Sequence, residues 1–429
     1  MKEQLFTPIK VGQTQLKHRV VMAPLTRFRA NANHVHSKMA ITYYKQRAST
    51  PGTLLITEAC FISPQAGGFR NVPGIWNGEQ VAAWKEIIDA GNPASRLSAL
   101  KIQLTPLLVP NSVHSQGSAI YLQLWALGRG AQAVTLKNEG GYEVVSASNI
   151  PLSPTQGGRA SDIPRALSVE EIEEYVGWYA RAAQWFVQAG GDGVEIHAAK
   201  AANAEKRKAH SQDHRYLIDQ FTQKNSNLRT DAYGGSVKNR TRFALEVTQA
   251  VANAVGADRV GIRLSPHSTF QGIHHFAFVL PSLLIRNSIP AGMKMARPDI
   301  LETFSYLVST LKAQHPSLAY VHLTEPRVAG GGDQTPVEGD DLDFLHKIWS
   351  PRTVIVAGGF TAESSRKEAT KRPNACIAIG RMFISNPDLP VRFREGIALT
   401  PYNRKTFYTE GPDQPVGYID YPFANGSKL

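Results

Sequence analysis

Eight short apolar runs in this chain end in polar or glycine residues: Thr26, Glu58, Gln123, His197, Arg263, Glu325, the pair Gly358-Gly359 and the pair Gly380-Arg381. Each has its own chemistry. A histidine can donate to an oxygen, and an arginine can stabilise negative charge. Paired glycines let backbone N–H groups approach a phosphate, and Arg381 can grip the same phosphate with its planar fork. Gln123 and Arg263 can hydrogen-bond the edge of a heteroaromatic ring. Taken singly, each residue reads as an ordinary strand terminator. If they share one rim they form a site for a phosphorylated, ring-bearing cofactor.

Something must place them on one rim. The runs are "RVVMAP" (19–24), "TLLITE" (53–58), "AIYLQLW" (119–125), "GVEIH" (193–197), "RVGIRLSP" (259–266), "AYVHLTEP" (319–326), "TVIVAGG" (353–359) and "ACIAIGR" (375–381). They are continuously apolar rather than alternating, as strands buried on both faces are. Amphipathic segments separate them. In "LSVEEIEEYVGWYARAAQWFVQAG", Ser168 and Glu171 form a capping box, and Ile172, Tyr175, Val176, Tyr179, Ala183 and Phe186 recur on one face. The segment stops at Gly190-Gly191. Eight such β/α units predict a single-domain α/β fold, a (β/α)8 TIM barrel, with function at the C-terminal strand ends. No G-x-G-x-x-G follows the first strand, which argues against a doubly wound dinucleotide fold.

Bulk properties agree. The 429 residues are 42% hydrophobic, enough for a large core, and two cysteines make no disulfide framework. The longest apolar stretch, "FAFVLPSLLI" (276–285), is too short to span a bilayer, and no signal-peptide core opens the chain. The net charge is +12, and the only tight basic run, "EKRKAH", comes without a nucleic-acid-binding motif, so no nucleic-acid partner is expected. His210 and His214 lack the carboxylate or HExxH context of a metal site, and no metal is expected.

Several longer motifs are similar to the Old Yellow Enzyme family: "PLTRFRA" (24–30), "PGTLLITEACFISPQAGG" (51–68), "LQLWALGR" (122–129), "NLRTDAYGGSVKNRTRF" (227–243), "GRMFISNPDL" (380–389) and "GYIDYP" (417–422). They occur in the family's order from Leu5 to about Phe423. The resemblance implies an FMN cofactor, NADPH as reductant and a small activated alkene, an enone or enal, as substrate. It implies that Pro24, Leu25, Thr26 and Ala59 line the flavin. Gln123 holds its pyrimidine edge, and Arg263 lies against N1 and O2. Gly358, Gly359, Gly380 and Arg381 take the phosphate. His197 clamps the substrate carbonyl while hydride passes from flavin N5 to the β-carbon. Tyr216 protonates the α-carbon, and Tyr408 flanks the ligand. Without that context His197 reads as a strand-end histidine and Tyr216 as a core aromatic. The rival expectations are a flavin-dependent isomerase of an enone or enal and an impaired FMN-binding pseudoenzyme. A monomer or homodimer is expected.

Three segments lack the resemblance: 91–112, 200–215 and 272–291. The second falls inside the family pattern H-x-A-N-G-Y-L and leaves Lys200 in place of the amide that forms the second carbonyl clamp. Family sequence resumes in frame after each one, so they read as translated introns or gene-model errors within one domain, 1–423. The tail 424–429 ends in Ser427-Lys428-Leu429, a peroxisomal address; a cytoplasmic location is the alternative.

Overall fold

All eight apolar runs form strands, and they close on themselves. The computed structural model describes residues 3–89, 113–152, 163–199, 216–267, 297–326, 328–329, 332–333 and 339–426. The three segments without family resemblance and the terminal tripeptide lie outside these residues. The barrel strands are β1 (Val20–Met22), β2 (Leu54–Phe61), β3 (Ala119–Trp125), β4 (Gly193–Ala198), β5 (Val260–Leu264), β6 (Tyr320–Thr324), β7 (Val354–Ala357) and β8 (Ala375–Ile379). Neighbours pair in parallel in chain order, and β8 pairs with β1 to close the barrel. Nearly every strand residue is buried, as expected for strands covered on both faces.

The helices lie between the strands: α1 (Lys38–Arg47), α2 (Gly78–Asp89), α3 (Val169–Gln188), α4 (Leu217–Thr222), α5 (Val237–Val255), α6 (Arg297–Gln314), α7 (Asp343–Trp349) and α8 (Ala362–Lys371). The capping box of α3 forms as expected. The Ser168 hydroxyl accepts from Glu171 N–H, and the Glu171 carboxylate accepts from Ser168 N–H. Its predicted face is buried at Ile172, Tyr175, Tyr179, Ala183 and Phe186, while Val176 sits at the margin. Burying a side chain of Phe186's size contributes about 1.5–3 kcal/mol.

A hairpin, Ile9–Val11 with Thr14–Leu16, covers the N-terminal end of the barrel. Val11 and Leu16 pack on Val21, Leu54, Tyr121 and Tyr320. Gly12 adopts φ +55° there, and a Cβ on it would lie 1.8 Å from the Asp258 carbonyl. That end is closed by packing. The polar residues gather at the other end, near or just past the last residues of the strands.

Among the described residues, no helix is long and apolar enough to cross a membrane, and no cluster of His, Cys, Asp and Glu could hold a metal ion.

Candidate active site

The strand register sets the levels. His197 near the end of β4 pairs with Arg263 of β5, and Ala59 of β2 pairs with Gln123 of β3 after a break in register beyond Ile56. The β7 and β8 strands are neighbours, so Gly358-Gly359 and Gly380-Arg381 leave the barrel side by side. Gly380 also adjoins the turn after β1: a Cβ on it would stand 3.2 Å from Leu25 Cδ2. The structure thus brings Pro24, Leu25, Thr26, Ala59, Gln123, His197, Arg263 and the four glycine-and-arginine positions to one end of the barrel.

His197 is buried, and its Nδ1 accepts a hydrogen bond from Ala199 N–H at 3.3 Å. An accepting Nδ1 has no proton, so the neutral ring carries its proton on Nε2. Burial, reinforced by the positive charge of Arg263, holds its pKa well below the ordinary histidine value. His197 is therefore a neutral donor.

Tyr216 caps the N-terminus of α4 in extended backbone, φ −90° and ψ 166°. Its ring centroid lies 4.4 Å from that of His197, edge to face, and 4.6 Å from Trp125. The sixteen intervening residues do not set this placement alone, because α4 has its own anchors. Leu217 N–H donates to the Ala126 carbonyl at 3.0 Å. Gln220 Nε2 donates to the Leu127 carbonyl at 2.9 Å, while its Oε1 accepts from Arg129 N–H and from the Ser146 hydroxyl. These bonds tie α4 to the loop after β3.

Trp125, stacked on Phe61 with centroids 5.1 Å apart, and Phe69 form an aromatic wall beside the pair. Phe28 continues it toward Tyr408, whose ring meets Phe28 edge-on at 6.0 Å. Phe28 holds φ +58°, an uncommon conformation for a bulky residue. Sequence reasoning did not single out these walls, because aromatic residues at strand ends read as core.

On the other side of the rim, Gln123 Nε2 donates to Glu195 Oε1 at 2.6 Å, and Arg263 is buried with no hydrogen-bond partner for its Nε. Burial lowers the Arg263 pKa, with the Glu195 charge opposing it. Gly358 and Gly359 have φ +143° and +64°, and a Cβ on Gly358 would come within 2.7 Å of Glu325 Cβ. Arg381 opens a five-residue helix with its guanidinium 6.0 Å from the Tyr402 ring.

Glu58 departs from the rim reading. It is buried, and its Oε2 accepts from Arg27 N–H at 3.1 Å, bracing the turn that carries Thr26. Burial raises its pKa to about 7. His267, past β5, is tied by Nε2 to the Asp341 carbonyl at 2.9 Å, with Nδ1 3.2 Å from Asp340 Oδ1.

The chain matches the NADH:flavin oxidoreductase / NADH oxidase family over residues 4–107 and 101–400, two stretches that meet inside the segment 91–112. The chain belongs to this family. It is 44% identical over 436 residues to the NADP-dependent oxidoreductase lnbE of Aspergillus flavus, covering 99% of this chain and 97% of the relative. It is 46% identical over 426 residues to the chanoclavine-I aldehyde reductase fgaOx3 of Penicillium roqueforti, covering 98% and 96%. Its fold superposes on the crystal structure of Old Yellow Enzyme from Pichia sp. AKU4542 with TM-score 0.79 at 34% identity, covering 100% of this chain and 95% of that one.

As an Old Yellow Enzyme-type flavin oxidoreductase, the chain uses FMN with a nicotinamide reductant. Its own residues fit that cofactor. A buried arginine with an unpartnered Nε suits the electron-rich edge of a flavin, and Gly358, where a Cβ would collide with Glu325, leaves bare backbone that suits a phosphate.

Proposed function

We propose that this flavoenzyme reduces the activated C=C bond of an α,β-unsaturated aldehyde or ketone, with NADPH as the hydride source. The observation that carries this reading is the His197–Tyr216 pair: a neutral imidazole with its proton on Nε2, edge to face with a phenol 4.4 Å away. FMN would supply the hydride carrier between the nicotinamide and the substrate. His197 Nε2–H donates to the carbonyl oxygen, where negative charge develops as the β-carbon gains hydride. Tyr216 delivers the proton to the α-carbon. Thr26, Gln123 and Arg263 hold the flavin ring, with Pro24, Leu25 and Ala59 lining it. Gly358, Gly359, Gly380 and Arg381 hold its phosphate. Tyr408 flanks the substrate.

The decisive assay is anaerobic. Purified yellow protein is reduced with NADPH and mixed with a cyclic enone, and reoxidation at 450 nm (about) and the product are followed. Saturated product in one-to-one ratio with NADPH is the expected result. An isomerised product without NADPH consumption supports an isomerase. Flavin that NADPH reduces but no enone reoxidises supports a pseudoenzyme. Either outcome overturns ene-reduction.

The segments 91–112, 200–215 and 272–291 we take as retained intron sequence or gene-model errors. The first has local support. Val113 N–H donates to the Ile87 carbonyl at 3.4 Å. With the twenty-two residues 91–112 removed, Val113 follows Ile87 by four, the spacing of an α-helical hydrogen bond. Transcript sequencing tests this, and mature messages that retain all three segments would refute it. The terminal Ser427-Lys428-Leu429 leads us to propose a peroxisomal location. A fluorescent protein carrying this tail should be punctate and become diffuse when the tripeptide is removed; diffuse signal with the tail intact would argue for the cytoplasm.

A further inference from the structure

Below the rim runs a buried polar chain that none of these roles uses. Glu195 lies two residues before His197 on β4 and has no solvent exposure. Its Oε1 accepts from Gln123 Nε2 at 2.6 Å, and its Oε2 accepts from His322 Nδ1 at 2.7 Å. His322 is itself fully buried on β6, and its Nε2 has no partner. Arg263 of β5 lies between these strands, paired in register with His197 on one side and His322 on the other.

A carboxylate sealed in a barrel is costly unless it is paired and hydrogen-bonded. Burial pushes the Glu195 pKa up. The hydrogen bond from His322, the charge of Arg263 and the Gln123 hydrogen bond together hold it below the usual value. Glu195 is therefore ionised, and burial keeps His322 on the neutral side, donating from Nδ1. The negative charge of Glu195 then stands against the positive charge of Arg263. An apolar residue would fill the same space at less cost, so packing alone does not account for Glu195. Its two links to the flavin-facing set, the Gln123 amide and the Arg263 charge, suggest what it does.

We propose that Glu195 is a positioning residue for the flavin. It fixes the Gln123 amide by taking one N–H, leaving Oε1 and the second N–H to face the ring edge. Its charge also balances Arg263, so it sets how strongly the site favours reduced over oxidised FMN without touching either. This rests on FMN binding at the site described above.

The test uses the full-length holoenzyme, the Glu195→Gln and Glu195→Asp variants, and His322→Gln as a conservative control. FMN affinity is read from release of flavin fluorescence, and the midpoint potential from equilibration with redox dyes. Glu195→Gln removes the charge and can satisfy only one of its two donors. It should weaken oxidised FMN at least tenfold and reduced FMN less, because Arg263 is no longer balanced. The potential then rises by about 30 mV for each tenfold gain in discrimination. Glu195→Asp keeps the charge and shortens the reach, so FMN affinity should fall with the potential near the native value. His322→Gln retains a donor and should leave both close to native.

A Glu195→Gln protein that melts earlier but keeps native FMN affinity and potential would reduce the network to a structural role and overturn the proposal. If Glu195→Gln does not fold, Glu195→Asp decides: native affinity in that variant is equally fatal. A wild-type protein that takes up no FMN is a different failure, of the cofactor site itself.

Discussion

Two corners of the same rim respond differently to interruption. The residues we assign to the flavin, on the arc from β7 round to β3 and at Arg263 of β5, come from strands or from the one to four positions after them. Ala59 lies opposite Gln123 because the strands pair that way, and Gly380 reaches Leu25 because β8 pairs with β1. The corner we assign to the substrate, between β4 and α4, is built across a break of sixteen residues. His197 holds its place through β4 and Tyr216 through the anchors of α4, and the two rings still meet. The second carbonyl clamp expected from the family pattern falls at the start of the segment 200–215, outside the described residues. Side chains held by the barrel or by a separately docked helix keep their places across an insertion.

The largest expected effects break the corner itself. His197→Ala should lower the rate of flavin reoxidation by an enone about 10²- to 10³-fold, the typical cost of removing one donor to a developing oxyanion. Tyr216→Phe should cost about 10²-fold or more in the same step. Both should leave flavin reduction by NADPH within about tenfold of native. Stopped-flow measurement of the two half-reactions separates them. Equal losses in both would show that the pair supports the flavin rather than the substrate.

Next in size is a repair. Replacing residues 200–215 by Asn-Gly restores the uninterrupted pattern and supplies a second donor to the carbonyl oxygen. Turnover with an enone should rise, by up to about 10²-fold if that donor acts in the transition state, with FMN affinity unchanged. No gain in kcat/KM would mean that His197 alone suffices and that the corner is not impaired.

The eight strands were legible because a parallel barrel buries both faces of each strand and so writes continuous apolar runs into the chain. The rim residues followed, since each lies at or just past a run. Glu195 and His322 were not legible. A polar residue inside a buried run announces a partner but not which one, and the Glu195–His322 bond spans two strand-to-strand steps, from β4 past β5 to β6. Glu58 was misplaced for a related reason: a strand-end carboxylate looks exposed until the Arg27 amide and the His36 side chain close over it. The Trp125, Phe61 and Phe69 wall was hidden because its residues read equally well as core.

The flavin-facing arc has its own sensitivity, and Glu58 exposes it. Burial raises its pKa to about 7 from an ordinary value of 4.5. A raised carboxyl pKa means that the folded state binds more protons between those values, so stability falls as pH rises from about 4.5 to about 7 and the full penalty applies above. A shift of that size is worth about 3 kcal/mol. Glu58→Gln keeps an acceptor for Arg27 N–H without the charge. The buried histidines His18, His36 and His346 act in the opposite sense, losing stability as pH falls below about 6.5, and cancel in the comparison of the two proteins. The variant should match the wild type near pH 4.5 and exceed it by up to about 3 kcal/mol at pH 8 (about) in urea titrations. A constant difference across pH would show that the carboxyl is not titrating there.

The smallest expected effect concerns the first segment. If side chains carried by the barrel tolerate interruption, removing the interruption should cost nothing. The junction is already spaced as one helix, with Val113 N–H on the Ile87 carbonyl. Closing a twenty-two-residue loop carries an entropic cost that grows by about 0.6 kcal/mol per doubling of length. Deleting 91–112 should therefore stabilise the protein by about 2 kcal/mol or less, and leave FMN content and both half-reactions unchanged. A loss of stability would mean that the segment packs on the barrel and contributes to it, and the distinction between carried and merely connected residues would fail at α2. A gain would extend that distinction from the site to the scaffold.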